Sequence, residues 1–148
     1  MKVCIVGSGG YIGSSLKNYF KNEGIEVIQI TSKKNLPSDE ENGCYGYHKL
    51  DDMDDCISIL SDIDVLFYLC SPNAKSTELQ PITGMNKVLM PLIKILAAKQ
   101  FLKELKIIYF STAQIFNGVS WNIPVDDRTS PNPTNYYGLF HEFGERLI

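Results

Sequence analysis

The chain opens with a short apolar strand pattern, Lys2–Val6 (KVCIV), that runs straight into a glycine-rich turn, Gly7-Ser8-Gly9-Gly10-Tyr11-Ile12-Gly13. No other stretch constrains the fold so tightly. A buried strand passing through glycines into a helix is the start of a βαβ unit, and such units build parallel sheets. Each glycine of the G-x-x-G-x-x-G spacing has a mechanical task. Gly7 allows the sharp exit from the strand, Gly10 lets the backbone approach a pyrophosphate, and Gly13 lets the helix lie close to the sheet. Gly9 adds a G-x-G reading from Gly7. The helix N-terminus then offers N–H groups and a partial positive charge to phosphates. A glycine turn without a ligand is the plain alternative; a position between a strand and an amphipathic helix favours a dinucleotide. The Walker pattern is absent, so a phosphate-hydrolysing site lacks its lysine.

Beyond the turn, short apolar runs alternate with helical patterns. Ile12–Asn22 predicts a helix with Ile12, Leu16, Tyr19 and Phe20 on one face, and Glu26–Ile30 a second strand. Thr31–Gly43 is polar and predicts a loop. A weaker third strand is expected over Tyr45–Leu50, then a short helix over Asp54–Leu60 and a strongly apolar fourth strand over Asp64–Leu69. Pro81–Lys99 predicts one long helix with Met85, Val88, Leu89, Leu92, Ile95 and Leu96 on its core stripe. Lys106–Phe110 is a fifth strand, Ser111–Asn135 a proline-marked loop, and a last helix starts at Tyr136. The order predicts an α/β fold, a doubly wound parallel sheet in three α/β/α layers, with ligands beyond the carboxyl ends of the strands. The 148 residues suit one domain.

Composition narrows the partners. A net charge of −3 without a basic stripe argues against nucleic-acid and membrane partners. The cysteines, Cys4, Cys44, Cys56 and Cys70, form no CxxC pair; no metal site is expected, and buried thiols of a reducing compartment are. The opening apolar run ends at Gly7, too short for a secretion signal, and no stretch is long enough to span a bilayer. A cytoplasmic location is expected. The second strand ends in Ile30-Thr31-Ser32-Lys33-Lys34 without the carboxylate that binds a ribose 2′-OH. Hydroxyls and two cations suit a 2′-phosphate, so NADP is preferred over NAD; a solvated lysine pair is the alternative.

Further motifs follow the later strands. They are Asp51-Asp52-Met53, Leu69-Cys70-Ser71, Asn86 in the long helix, Ser111-Thr112-Ala113-Gln114-Ile115-Phe116, the acidic and proline positions Asp126-Asp127, Pro131 and Pro133, and Tyr137-Gly138-Leu139-Phe140-His141 with Glu145 beyond. With the glycine turn, this series resembles the extended short-chain dehydrogenase/reductase superfamily, and within it the NAD(P)-dependent epimerase/dehydratase enzymes that modify nucleotide sugars. The resemblance runs through the whole chain and implies a Rossmann-type fold. It implies cofactor contacts from Gly7, Gly9, Gly10, Tyr11, Ile12, Gly13, Thr31, Ser32, Lys33, Asp52, Met53, Leu69, Cys70, Ser71, Asn86, Ser111, Tyr137 and His141. Asn86 matches a residue that supports the active-site backbone. Tyr137 falls on the family's acid/base and Thr112 on its substrate-binding hydroxyl. Asn117, inserted before Gly118, departs from the pattern.

The chemistry explains these residue types. Moving a hydride between a sugar carbon and nicotinamide requires a proton to leave or reach the neighbouring oxygen, and an unperturbed tyrosine, near 10, is too weak a base at neutral pH. The family lowers it with a lysine four residues on, one helical turn away. Here that position holds His141. Either His141 acts as a weaker or protonated substitute, or the site has lost much of its redox chemistry. Tyr136 is disfavoured as the base because its four-residue partner is Phe140.

The resemblance further implies a nucleotide-sugar substrate and a homodimer paired through the long helix and the Tyr137 helix. Family members continue for about another domain length, so residues 1–148 are expected to be the dinucleotide-binding part without the substrate lobe. Thr112 is followed by Ala113-Gln114 rather than the dehydratases' Asp-Glu pair, which counts against dehydration. A dinucleotide-binding sensor or interaction module without turnover is the alternative function, and a non-functional truncation product a third.

Overall fold

The computed structural model describes residues 1–32, 42–102, 104–120, 122 and 124–148. Among them are five strands, β1 (Lys2–Val6), β2 (Glu26–Thr31), β3 (Cys44–Gly46), β4 (Val65–Tyr68) and β5 (Lys106–Tyr109). The helices are α1 (Tyr11–Asn22), α2 (Met53–Leu60), α3 (Ala74–Leu79), α4 (Pro81–Val88), α5 (Met90–Lys99) and α6 (Tyr136–Leu147), with 3-10 turns at Tyr47–Leu50 and Ala113–Phe116. The chain divides into two compact units. One comprises Met1–Cys70 and Pro91–Phe110, the other Ser71–Met90 and Ser111–Ile148.

The first unit holds the sheet, all parallel, in the order β3-β2-β1-β4-β5. Successive β1 residues alternate between its faces, as a period of two requires. Val3 and Ile5 join Phe20 and Val27, with Leu16 of α1 packed beside them. Cys4 and Val6 join Ile28, Ile30, Leu66 and Tyr68 against Cys56 and Leu60 of α2 and Leu92, Ile95 and Ala98 of α5. Helix, sheet and helix therefore form three layers, the doubly wound arrangement expected from the sequence.

Strand order reverses between β1 and β4, and the glycine turn leaves β1 at that place. Gly7 has φ +95°, a conformation open to glycine. A Cβ there would stand 3.0 Å from the Leu69 carbonyl. Gly13 is packed still more closely, because a Cβ would overlap the Gly7 carbonyl oxygen and press on the Ser8 Cα. Gly10 has room, with the nearest atom 3.4 Å from a built Cβ. Helix α1 ends at Glu23, where Ile25 N–H donates to the Phe20 carbonyl at 2.9 Å and closes the last turn.

Three expectations are corrected. The predicted Pro81–Lys99 helix is two helices, α4 and α5, joined at Leu89. Pro91 has no N–H to give and its ring crowds the carbonyl four residues earlier, which breaks the ladder there; Met85, expected on the core stripe, is 38% exposed. The third strand stops at Gly46, not Leu50. Its partner β2 supplies no rung after Thr31, which pairs with Gly46, and the chain turns into the 3-10 segment. On α1, Gly13 and Phe20 are buried while Ile12 and Tyr19 are half exposed. The close approach at Gly13 sets which side of the helix meets the sheet.

In the second unit Phe140 of α6 packs on Val88 and Leu89. Gly138 of α6 lies against the Gln114 carbonyl, 2.5 Å from where a Cβ would sit. No helix among the described residues is long and apolar enough to cross a membrane.

These distances predict different fates for two glycines. Gly13→Ala forces backbone apart and is expected to cost about 2 kcal/mol or more, read as a lower urea midpoint, whereas Gly10→Ala is expected to fold with a midpoint close to that of the unsubstituted chain.

Candidate functional site

The two groups of predicted residues fall in different units. In the first, the turn between β1 and α1 is fixed by backbone. Gly7 N–H donates to the Ile30 carbonyl at 2.7 Å, Gly10 N–H to the Gly7 carbonyl at 3.1 Å, and Leu69 N–H to the Val6 carbonyl at 2.8 Å. Gly10 is the N-cap of α1; no side chain caps the helix and its first turn holds no acidic residue. Ser14 and Ser15 turn their hydroxyls back to the Tyr11 carbonyl, at 2.9 and 3.1 Å. An open, uncapped helix start fits a diphosphate. Gly9, Gly10, Tyr11 and Ile12 are exposed there.

Other predicted contacts of this unit are placed as follows. Thr31 is buried and Ser32 exposed at the end of β2, while Lys33 and Lys34 lie outside the described residues. Asp52 caps α2, accepting from Asp55 N–H at 3.0 Å, and Met53 is partly exposed. Asp51 pairs with Lys94. Leu69 is half-buried and Cys70 buried. Burial pushes the Cys70 and Cys56 thiols up to about 11 and raises Cys4 as well. These three thiols stay protonated at neutral pH and are no nucleophiles. Tyr47 shares a 2.9 Å hydrogen bond with the Cys70 sulfur, and burial raises Tyr47 and Tyr68 too.

The second unit gathers Ser71, Tyr137 and His141. Tyr137 and His141 stand one turn apart on α6 with ring centroids 4.7 Å apart. The Ser71 Oγ lies 2.7 Å from the Tyr137 hydroxyl oxygen and 3.1 Å from His141 Nε2. The start of α6 is held from three sides. Asn135 Oδ1 accepts from Gly138 N–H at 2.7 Å, Asn135 Nδ2 donates to Gln114 Oε1 at 2.8 Å, and Glu78 Oε1 accepts from Tyr137 N–H at 2.9 Å. Thr112 is the N-cap of the 3-10 turn, its Oγ1 accepting from Gln114 N–H at 3.3 Å, so its own O–H is not spent on that bond. Gln114 thus ties the Thr112 turn to the Tyr137 helix.

Asn86 is exposed on α4 and Ser111 exposed after β5. Tyr136, set aside as a base, is half exposed and stacks on Phe140 at 6.0 Å. Sequence reasoning missed Asn135 and Glu78; an asparagine directly before an aromatic helical run is a readable cap signal, whereas Glu78 is brought to Tyr137 N–H only by helix packing.

His141 is 1 % exposed. Burial lowers its pKa from 6.5 to about 4, so the imidazole is neutral at pH 7. Burial works against a protonated substitute for lysine at neutral pH, because it disfavours the charge that reading requires.

The model of the NAD dependent epimerase/dehydratase family matches residues 3–148. The chain belongs to this family. GDP-mannose 3,5-epimerase 1 of Oryza sativa subsp. indica is 33% identical over 73 residues, which are 48% of this chain and 19% of that enzyme. L-threonine dehydrogenase from Clostridium difficile is 26% identical with a TM-score of 0.81, covering 99% of this chain and 47% of that one. UDP-glucose 4-epimerase from Thermotoga maritima shares the fold at a TM-score of 0.80 and 19% identity, over 99% of this chain and 49% of that one. The matched stretch is less than a fifth of the rice enzyme, and the chain spans about half the length of the two solved structures.

The burial of His141 carries a pH signature. As pH falls, the unfolded chain takes up a proton near 6.5 while the folded chain resists until about 4, so this contribution to stability is complete above 6.5 and lost between 6.5 and 4. Urea unfolding across that window should show a falling free energy, with a smaller fall in His141→Gln.

Proposed function

We propose that this chain is the dinucleotide-binding part of an NAD(P)-dependent enzyme acting on a nucleotide-activated sugar, with Tyr137 as its proton donor and acceptor. The observation that carries the reading is the uncapped start of α1, where Gly10 leaves the backbone open without a side chain or an acid in the way. A dinucleotide diphosphate would rest on these N–H groups, with Thr31 and Ser32 toward the adenosine ribose and Asp52-Met53 toward the base. When bound, the nicotinamide supplies the hydride acceptor or donor. Tyr137 takes the proton of a sugar hydroxyl as the carbon is oxidised and returns it on reduction. Thr112 donates its free O–H to the same oxygen and holds it in place.

Membership of an NAD dependent family supports NAD; the hydroxyls of Thr31 and Ser32 and the lack of a carboxylate at that strand end favour NADP. The rice relative is named for epimerisation of GDP-mannose and the Thermotoga structure for that of UDP-glucose, which supports a nucleotide sugar as substrate. Ile82 and Met85 on α4 and Phe143 and Leu147 on α6 are exposed and suit pairing with a second copy. The neutral His141 favours a second reading, a dinucleotide-binding module without turnover.

Calorimetric titration of the chain with NAD and with NADP tests the first half. One of them is expected to bind, and Gly10→Ala, which keeps the fold, to weaken it at least tenfold because a methyl displaces phosphate from the backbone; if neither binds, the reading fails. In the complete protein, supplied with UDP-glucose or GDP-mannose, Tyr137→Phe is expected to lower turnover about a hundredfold or more with cofactor affinity kept. Binding without turnover in the unsubstituted protein would establish the second reading.

A further inference from the structure

His141 stands where the family resemblance expects a lysine, and burial denies it the charge a lysine would supply. What it can still offer is an N–H. The only hydroxyl that the structure places within hydrogen-bond distance of both His141 Nε2 and the Tyr137 oxygen, among the described contacts, is that of Ser71.

We propose that Ser71 is a positioning residue that couples His141 to Tyr137 through a chain of fixed polarity: His141 Nε2–H donates to Ser71 Oγ, and Ser71 O–H donates to the Tyr137 oxygen. This rests on the reading of Tyr137 as the proton carrier. Donor arithmetic allows two polarities, and the demand that Tyr137 keep its proton for a substrate oxygen selects one. Ser71 has one proton and two lone pairs, and a neutral imidazole has one N–H and one bare nitrogen. If Tyr137 donated to Ser71, the phenol's only proton would be tied up inside the chain. In the proposed direction it points away from Ser71 and is free for a substrate oxygen, and once it has left, the same Ser71 O–H stabilises the phenolate. No step needs a charged imidazole. The Pro72 carbonyl, 3.4 Å from Ser71 Oγ, is the weaker acceptor at that length.

The surroundings leave this role to the hydroxyl. Helices α3 and α4 pack against α6 and bring Lys75, Glu78 and Lys87; the Glu78 carboxylate is engaged by the Tyr137 backbone N–H. On α6 itself Glu142 pairs with Arg146 at 2.7 Å, and Glu145 is exposed.

Nitrogen-15 NMR of the labelled chain at neutral pH tests the proposal without substrate or cofactor. The chain has two histidines, so the set of signals lost in His141→Gln assigns this one. The expected pattern is an imidazole protonated at Nε2, whose N–H signal shifts in Ser71→Ala, shifts less in Tyr137→Phe, and returns toward its original place in Ser71→Thr, which keeps the hydroxyl. Protonation at Nδ1, or an Nε2 signal unmoved by Ser71→Ala, overturns the proposal. So does failure of Ser71→Thr to restore the signal, since the shift would then come from altered packing. These outcomes are separate from the fate of the functional reading. If Tyr137→Phe leaves turnover intact, Tyr137 is not the proton carrier, whatever the imidazole signal shows.

Discussion

The architecture of the first unit depends on one steric constraint, the meeting of the exit from β1 with the entry to α1. Gly7 is bounded by β2 through the Ile30 carbonyl and by the end of β4 through the Leu69 carbonyl, and its own carbonyl lies where a side chain on Gly13 would have to be. Three strands and a helix therefore converge on a few backbone atoms with no space for a methyl group at two of them. The consequence is chemical as well as architectural. A helix forced this close to the strand ends directs its free N–H groups to the place where strand order reverses, the usual binding crevice of such sheets.

The second unit solves a different problem, holding a half-buried phenol in a fixed place. Asn135 caps the first turn of α6 and is itself held by Gln114, while Glu78 takes the Tyr137 N–H from another helix, so the Tyr137 backbone is defined before any ligand arrives. His141, one turn on, sits in a site too dry for a charge. In the proposed chain, hydrogen bonding through Ser71 stands in for the electrostatic help expected of a lysine. Buried thiols and tyrosines of the first unit are driven toward their neutral forms by desolvation, which leaves them with packing roles.

Much of this was readable from the chain itself. The glycine spacing, the short apolar runs and the position of Tyr137 on a helix correspond to the strands, the turn and α6 as found. What misled was periodicity taken without neighbours. Pro81–Lys99 carries an unbroken apolar stripe, yet Pro91 removes one N–H and divides it. Tyr45–Leu50 has strand-like composition, but a strand is only as long as the partner it pairs with. Ile12 and Tyr19 fit a helical face that the Gly13 contact turns aside. Ser71 was legible as a strand-end residue and an implied cofactor contact but not as a partner of Tyr137, because their bond spans 66 positions.

By itself the sequence determined the parallel α/β class, the glycine turn and the placing of Tyr137 and His141 one turn apart on a helix, since these rest on local propensity and on spacing within one turn or one strand. Tertiary structure alone decided that His141 is uncharged and that Ser71 touches both Tyr137 and His141. Desolvation and long-range hydrogen bonds depend on which segments are packed together, and no local pattern encodes that.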